Sequence, residues 1–104
     1  MVYTETYTER VLDNIEGFDW DAGNVAHVLR HMVTPFEVEG VACRPCVVAP
    51  ARTVGGENRR KLFGKTASGR YVVVVFTIRN RRFRAVTAYQ MNAAERRTYA
   101  PQID

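Results

Sequence analysis

The sequence predicts an α+β fold: two N-terminal helices packed on a three- or four-stranded antiparallel sheet, with a short helix at the C-terminal end. Three observations predict it. Apolar residues recur at helical spacing before residue 45, and after it the pattern changes to alternating or continuous apolar runs divided by turn signals. Capping boxes stand at Thr34-Pro-Phe-Glu37 and Asn92-Ala-Ala-Glu95, one on each side of that strand-rich stretch. The chain has 104 residues, 46% of them hydrophobic, enough for one core without disulfides or metal, so residues 1–104 are read as a single domain.

Residues 1–15 are an extension that suits either an added edge strand or a tail. Phe18-Asp-Trp20 reads as a short β-type segment, and Asp21 stands where an N-cap belongs. The first helix should run over about 22–32, with Val25, Val28, Leu29 and Met32 facing the core at spacings of 3, 4 and 7. Thr34 can accept from the Glu37 amide while Glu37 reaches back, and Pro35 suits the first helical position. That second helix should cover about 34–43, since Pro45 forbids its continuation.

Strands are then predicted at about 46–49, 59–66, 70–79 and 82–89. Gly55-Gly56, Ser68-Gly69 and Asn80-Arg81 supply the turns between them. Tyr71 to Phe76 is apolar at every position, which marks a central strand. The last helix should open at Asn92 and stop near Tyr99, ahead of Pro101.

Charge is segregated along the chain. Residues 1–51 carry three basic and eight acidic side chains, whereas residues 52–99 carry twelve basic and two acidic, for a total net charge of +4. A one-signed field of this kind attracts a polyanion, and arginine's planar fork suits phosphate. Nucleic acid is therefore the favoured partner, with an acidic protein partner as the alternative. The longest apolar run is six residues, too short to cross a bilayer, and the first twenty residues lack a secretory h-region, so a cytoplasmic protein with no membrane partner is expected.

Cys43-Arg-Pro-Cys46 has C-x-x-C spacing but lacks the strand before and helix after that a redox site requires. With His27 and His31 it makes an incomplete case for zinc, and no metal or other cofactor is expected. His27, His31 and Asn24 share a helical stripe that is either simply solvated or chemically active. No Walker loop, Gly-x-Gly-x-x-Gly pattern or Ser-His-Asp series is present.

Seven segments, in order, resemble the BrnT toxins. They are Phe18-Asp-Trp-Asp21, Asn24-Val-Ala-His-Val-Leu-Arg-His31, Thr34-Pro-Phe-Glu-Val-Glu39, Asn58-Arg-Arg-Lys-Leu-Phe-Gly64, Gly69-Arg-Tyr-Val-Val-Val-Val-Phe-Thr77, Arg84-Ala-Val-Thr-Ala88, and Met91-Asn92 leading to Glu95-Arg-Arg-Thr-Tyr99. The resemblance spans residues 18–99. It implies a RelE-like fold and a bacterial type II toxin: a ribonuclease that inhibits translation by cleaving RNA. It also implies an oligomeric complex with a BrnA-like ribbon-helix-helix antitoxin. Two departures stand out. Met32 replaces the glycine that many such sequences carry after the helix histidine, and Thr87-Ala88-Tyr89 replaces Ser-Ala-Arg.

Cleaving RNA without metal requires an activated 2′-hydroxyl, stabilisation of the anionic phosphorane and protonation of the leaving oxygen. The candidate phosphate clamps are Arg60, Arg79 and Arg84, with Arg84 expected to matter most because a strand fixes its direction. His31 or Tyr89 are candidates for proton transfer, and Glu95 for a base or only a helix cap. Arg59, Lys61, Lys65, Arg70, Arg82 and Arg96 are the candidate nucleic-acid contacts. The alternative is a catalytically worn module that binds RNA or an antitoxin without cleavage.

Overall fold

The computed structural model describes residues 12–104; the expectation of an edge strand or tail falls largely on residues 1–11, outside the described residues. Helices α1 (Ala22–Arg30) and α2 (Pro35–Ala42) precede strands β1 (Val47–Pro50), β2 (Arg60–Lys65), β3 (Tyr71–Arg79) and β4 (Arg82–Gln90), and helix α3 (Ala93–Ile103) follows. The strands form an antiparallel meander in the order β1-β2-β3-β4, so β3 lies inside the sheet as its unbroken apolar run requires.

Each connection obeys local backbone chemistry. Asn80 and Arg81 both take positive φ, 52° and 64°, the pair of left-handed residues that a two-residue hairpin needs. Between β1 and β2, Gly55 and Gly56 at φ 57° and 79° make a second such turn, closed by reciprocal backbone hydrogen bonds between Val54 and Glu57.

Pairing register divides the side chains between two faces. The first face carries Val48, Leu62, Val72, Val74, Phe76, Phe83, Ala85 and Ala88, and packs under Val28 of α1 and Val38, Val41 and Ala42 of α2. At Gly64 the approach is so close that an added Cβ would lie 3.0 Å from Val41 Cβ. The second face carries Val47, Phe63 and Val73, covered by α3, whose Tyr99 ring stacks on Phe63 at 3.7 Å. Only half of this second face is covered. Val75↔Thr87, Thr77↔Arg84 and Arg79↔Arg82 continue it past α3, and Val86 is the extra residue of a bulge opposite Val75 and Phe76.

Three expectations are corrected. Leu29 and Met32 face solvent, and α1 instead buries Asn24 and Val28. The helix ends at Arg30 because Met32, at φ 65°, turns the chain so that buried Val33 can donate back to the Val28 carbonyl. The third concerns α3, which continues through Pro101 to Ile103. Its end is tied to the sheet where Asp104 accepts from Tyr71 Oη at 2.6 Å and from Lys65 Nζ at 3.3 Å.

Asn24, expected with His27 and His31 on a stripe either solvated or chemically active, is buried in the joint between α1 and β4. Its Nδ2 donates to the carbonyls of Asp19 and Ala85 at 2.9 and 3.0 Å, and its Oδ1 accepts from the Asp21 amide at 2.7 Å. Asn24→Ala should cost about 3 kcal/mol, because two carbonyls lose their donor inside the fold. Thermal unfolding should then begin more than roughly 10 °C lower. A variant that melts with the wild type would show that the joint contributes nothing.

Candidate nucleic-acid interface

Where β4 meets the start of α1, a cleft of about 250 Å³ opens, lined by Asn24, His27, Glu57, Arg59, Arg79 and Arg84 among others. Its parts come from four places. Arg79 and Arg84 lie on the uncovered second face, His27 is the exposed edge of α1, and Glu57 and Arg59 come from the loop before β2. That loop is held over the sheet by the Gly55-Gly56 turn and by Thr77 Oγ1, which donates to the Asn58 carbonyl at 2.9 Å.

The cleft's guanidiniums are already paired. Glu57 accepts from Arg59 Nε and Arg79 Nη2, each at 3.2 Å. The Arg59 guanidinium first, and Arg79 after it, hold the Glu57 carboxyl below the usual range, against an opposing effect of burial larger than that of the Arg79 hydrogen bond. Arg84 is held by Asp21 at 2.8 Å and Asp19 at 3.5 Å, and only 19% of its side chain is exposed. Arg84 therefore ties the N-cap of α1 to β4 with its charge answered by two carboxylates.

The remaining candidates scatter. Arg60 sits in register with buried Phe76 and so stands on the helix-covered face, away from Arg79 and Arg84. His31 caps the end of α1 and is not among the cleft-lining residues; His27, one turn earlier, is. Tyr89 Oη donates to Glu95 Oε2 at 3.0 Å, beside the start of α3 and outside the cleft lining. Burial first, then that hydrogen bond, pushes the Tyr89 hydroxyl up to about 12, which keeps it a proton donor at neutral pH. Glu95 also closes its capping box with Asn92.

Among the candidate nucleic-acid contacts, Arg70 Nη1 reaches both carboxylate oxygens of Glu37, at 3.1 and 2.9 Å. Lys65 pairs with Asp104, and Arg96 lies 4.5 Å from the centre of the Tyr71 ring. Lys61 and Arg59 line a second hollow, of about 560 Å³, with Arg52 and Val75. Arg82 is exposed and faces Arg79 directly across the hairpin, a like-charge pair that a sheet does not favour by itself.

Sequence reasoning missed Glu57, and of the two helix histidines it favoured His31, whereas His27 lines the cleft. The Gly-Gly turn just before Glu57 was the available signal, since such a turn folds the loop back on itself. Among the described residues no three His, Cys, Asp or Glu side chains gather as a metal-binding group. Nor is any helix long and apolar enough to cross a membrane. Burial, with a smaller effect from nearby Cys43, pushes the Cys46 thiol up to about 12.

Fold and surface define a small basic α+β protein with an arginine-bearing, half-uncovered sheet. The family model described as ribonuclease toxin, BrnT, of type II toxin-antitoxin system matches residues 20–95, and the chain belongs to that family. Its members are ribonuclease toxins, which implies an RNA target and an antitoxin partner. No curated protein sequence matches the chain.

The Asp21–Arg84 tie should be acid-sensitive. The Asn24 backbone N–H first, and Arg84 next, hold the Asp21 carboxyl below its ordinary value of 3.8. Its contribution to stability is thus complete above about pH 4 and is lost as pH falls through the lowered value. Asp21→Asn, which retains a capping oxygen, should melt below the wild type at pH 7, and the gap should narrow when both are melted near pH 3. A gap that stays constant with pH would show that the ion pair does not contribute.

Proposed function

We propose that this toxin cleaves RNA without a metal ion, acting in the cytoplasm to inhibit translation, and that a BrnA-like ribbon-helix-helix antitoxin holds it in an oligomeric complex. The observation that carries the cleavage reading is the cluster of guanidiniums on the uncovered half of the sheet. There Arg59 and Arg79 share one carboxylate, Glu57, and Arg82 faces Arg79 with no carboxylate partner among the described residues. Two like charges face each other across Arg79↔Arg82, so an incoming phosphate relieves a repulsion as well as making contacts. Arg52 and Lys61 extend the same surface along β2 and offer further phosphate contacts to a chain lying across it.

In this reading Arg79 and Arg59 hold the scissile phosphate and stabilise charge as the phosphorane forms. His27 is better placed than His31 for proton transfer at the cleft. The Tyr89 hydroxyl, poised as a donor, serves a leaving oxygen only if RNA spans from the cleft toward α3. Arg84 fixes the cleft wall instead of clamping phosphate.

A second reading is favoured by a specific observation. Arg59, Arg79 and Arg84 are each already answered by a carboxylate, and Tyr89 with Glu95 stands apart from them. That arrangement suits a module that binds RNA or antitoxin without cutting.

Cleavage of RNA in EDTA separates the two. The wild type should cut, and folded Arg79→Ala should cut ~10²-fold more slowly through loss of about 3 kcal/mol of transition-state stabilisation. Arg84→Ala should lower the melting temperature more than it lowers the rate per folded molecule. Binding to uncleavable RNA should weaken steeply with salt. Absence of cutting under every condition, with salt-sensitive binding retained, would establish the non-catalytic reading; cutting only with added metal would refute metal independence.

A further inference from the structure

The elbow between α1 and α2 exposes apolar side chains that the sheet does not use. Of the large apolar side chains left exposed among the described residues, Leu29 (48%), Met32 (79%) and Phe36 (84%) fall within eight residues of one another. The backbone that carries them is anchored. Val33 between them is fully buried, Met32 N donates to the Leu29 carbonyl at 2.9 Å, and Glu37, one residue after Phe36, is locked by Arg70 and by the Thr34 cap.

Met32 also holds φ at 65°, a region in which a side chain bearing a Cβ is disfavoured and glycine is not. A glycine there would remove both the strain and the exposed thioether. The chain instead keeps a flexible apolar group at the position, as protein-binding surfaces do. Arg30 and His31 edge the patch, both exposed, and Arg30 has no carboxylate partner among the described residues.

We infer that this elbow is the docking surface for the antitoxin, taking an apolar segment flanked by acidic side chains; the inference rests on the reading of the chain as the toxin of a pair. Charge selects this occupant. A second copy would present the same patch, whose nearest carboxylate along the chain, Glu37, is already engaged by Arg70, and so would leave Arg30 without an answering charge. RNA is drawn to the cationic half of the sheet's other face, whereas α1 and α2 cover the first. Docking at the elbow and RNA binding at the sheet thus use separate residues, and each can be removed alone.

The test uses the full chain and, as probe, the polypeptide encoded by the reading frame adjoining its gene, co-expressed and then measured by biolayer interferometry. Phe36→Glu and Arg30→Glu should each weaken the complex at least tenfold while melting and cleaving RNA as the wild type does. Met32→Gly should raise the melting temperature and still weaken the complex, a combination that damage to the fold does not produce. Arg79→Ala should bind the probe normally. Unchanged affinity in Phe36→Glu and Arg30→Glu would overturn the elbow while leaving the toxin reading intact. Failure of the probe to bind the wild type would overturn the pairing on which the inference rests. Two further outcomes would reassign the patch: loss of RNA cleavage in Phe36→Glu would give it to RNA, and a wild-type dimer that Phe36→Glu dissociates would give it to a second copy.

Discussion

The fold turns on the buried amide of Asn24. A sheet whose last strand is β4 has an open edge there, with backbone groups in need of partners. The chain before α1 closes part of it, since Asp19 N donates to the Phe83 carbonyl and Phe83 N to the Gly17 carbonyl. Asn24 then reaches the next free carbonyl, at Ala85, and ties it to the Asp19 carbonyl and the Asp21 amide. One side chain thus closes an edge, starts a helix and fixes the strand residue that precedes the bulge. Arg84 repeats the connection at the surface through Asp19 and Asp21.

This closure decides where chemistry is possible. With α1 and α2 bound to the first face and the edge of β4 covered at Phe83 and Ala85, the uncovered part of the second face is where cationic side chains collect. Helix α3 restricts that area further by covering Val47, Phe63 and Val73. In the proposed reading a phosphate chain meets Lys61, Arg59, Arg79 and Arg82 on a surface whose backbone is set by strand pairing, which limits the freedom those groups lose on binding.

Much of the fold could be read from the sequence because its signals were local. Asp21, Thr34 and Asn92 cap their helices as their spacing says, and the Asn80-Arg81 turn takes the backbone its position demands. The errors came where a tertiary contact outweighed a local rule. Leu29 and Met32 have helical spacing yet face solvent, because the contact with Ala85 turns α1 to bury Asn24. Pro101 did not end α3, because the Tyr71 and Lys65 contacts with Asp104 hold the final turn in place. Site residues were less legible still. Periodicity places Arg79, Arg84 and Arg60 on strands, but only the register puts Arg60 on the other face, and only the fold brings Asp19 and Asp21 to Arg84.

Under the proposed reading, Glu57 sets how the cleft treats phosphate. A carboxylate accepting from Arg59 and Arg79 offers two oxygens in a plane, as a phosphate group does, so RNA binding there is an exchange of one anion for another. The guanidiniums are already partly desolvated and aimed before substrate arrives, which lowers the reorganisation needed at the phosphorane. The same exchange keeps the free protein from presenting a strong anion trap. Net attraction then falls to groups without a carboxylate partner among the described residues, Arg52, Lys61 and Arg82. Affinity and positioning are thereby separated: the unpaired cations gather the chain through counterion release, and the pair held by Glu57 orients the phosphate once Glu57 gives way.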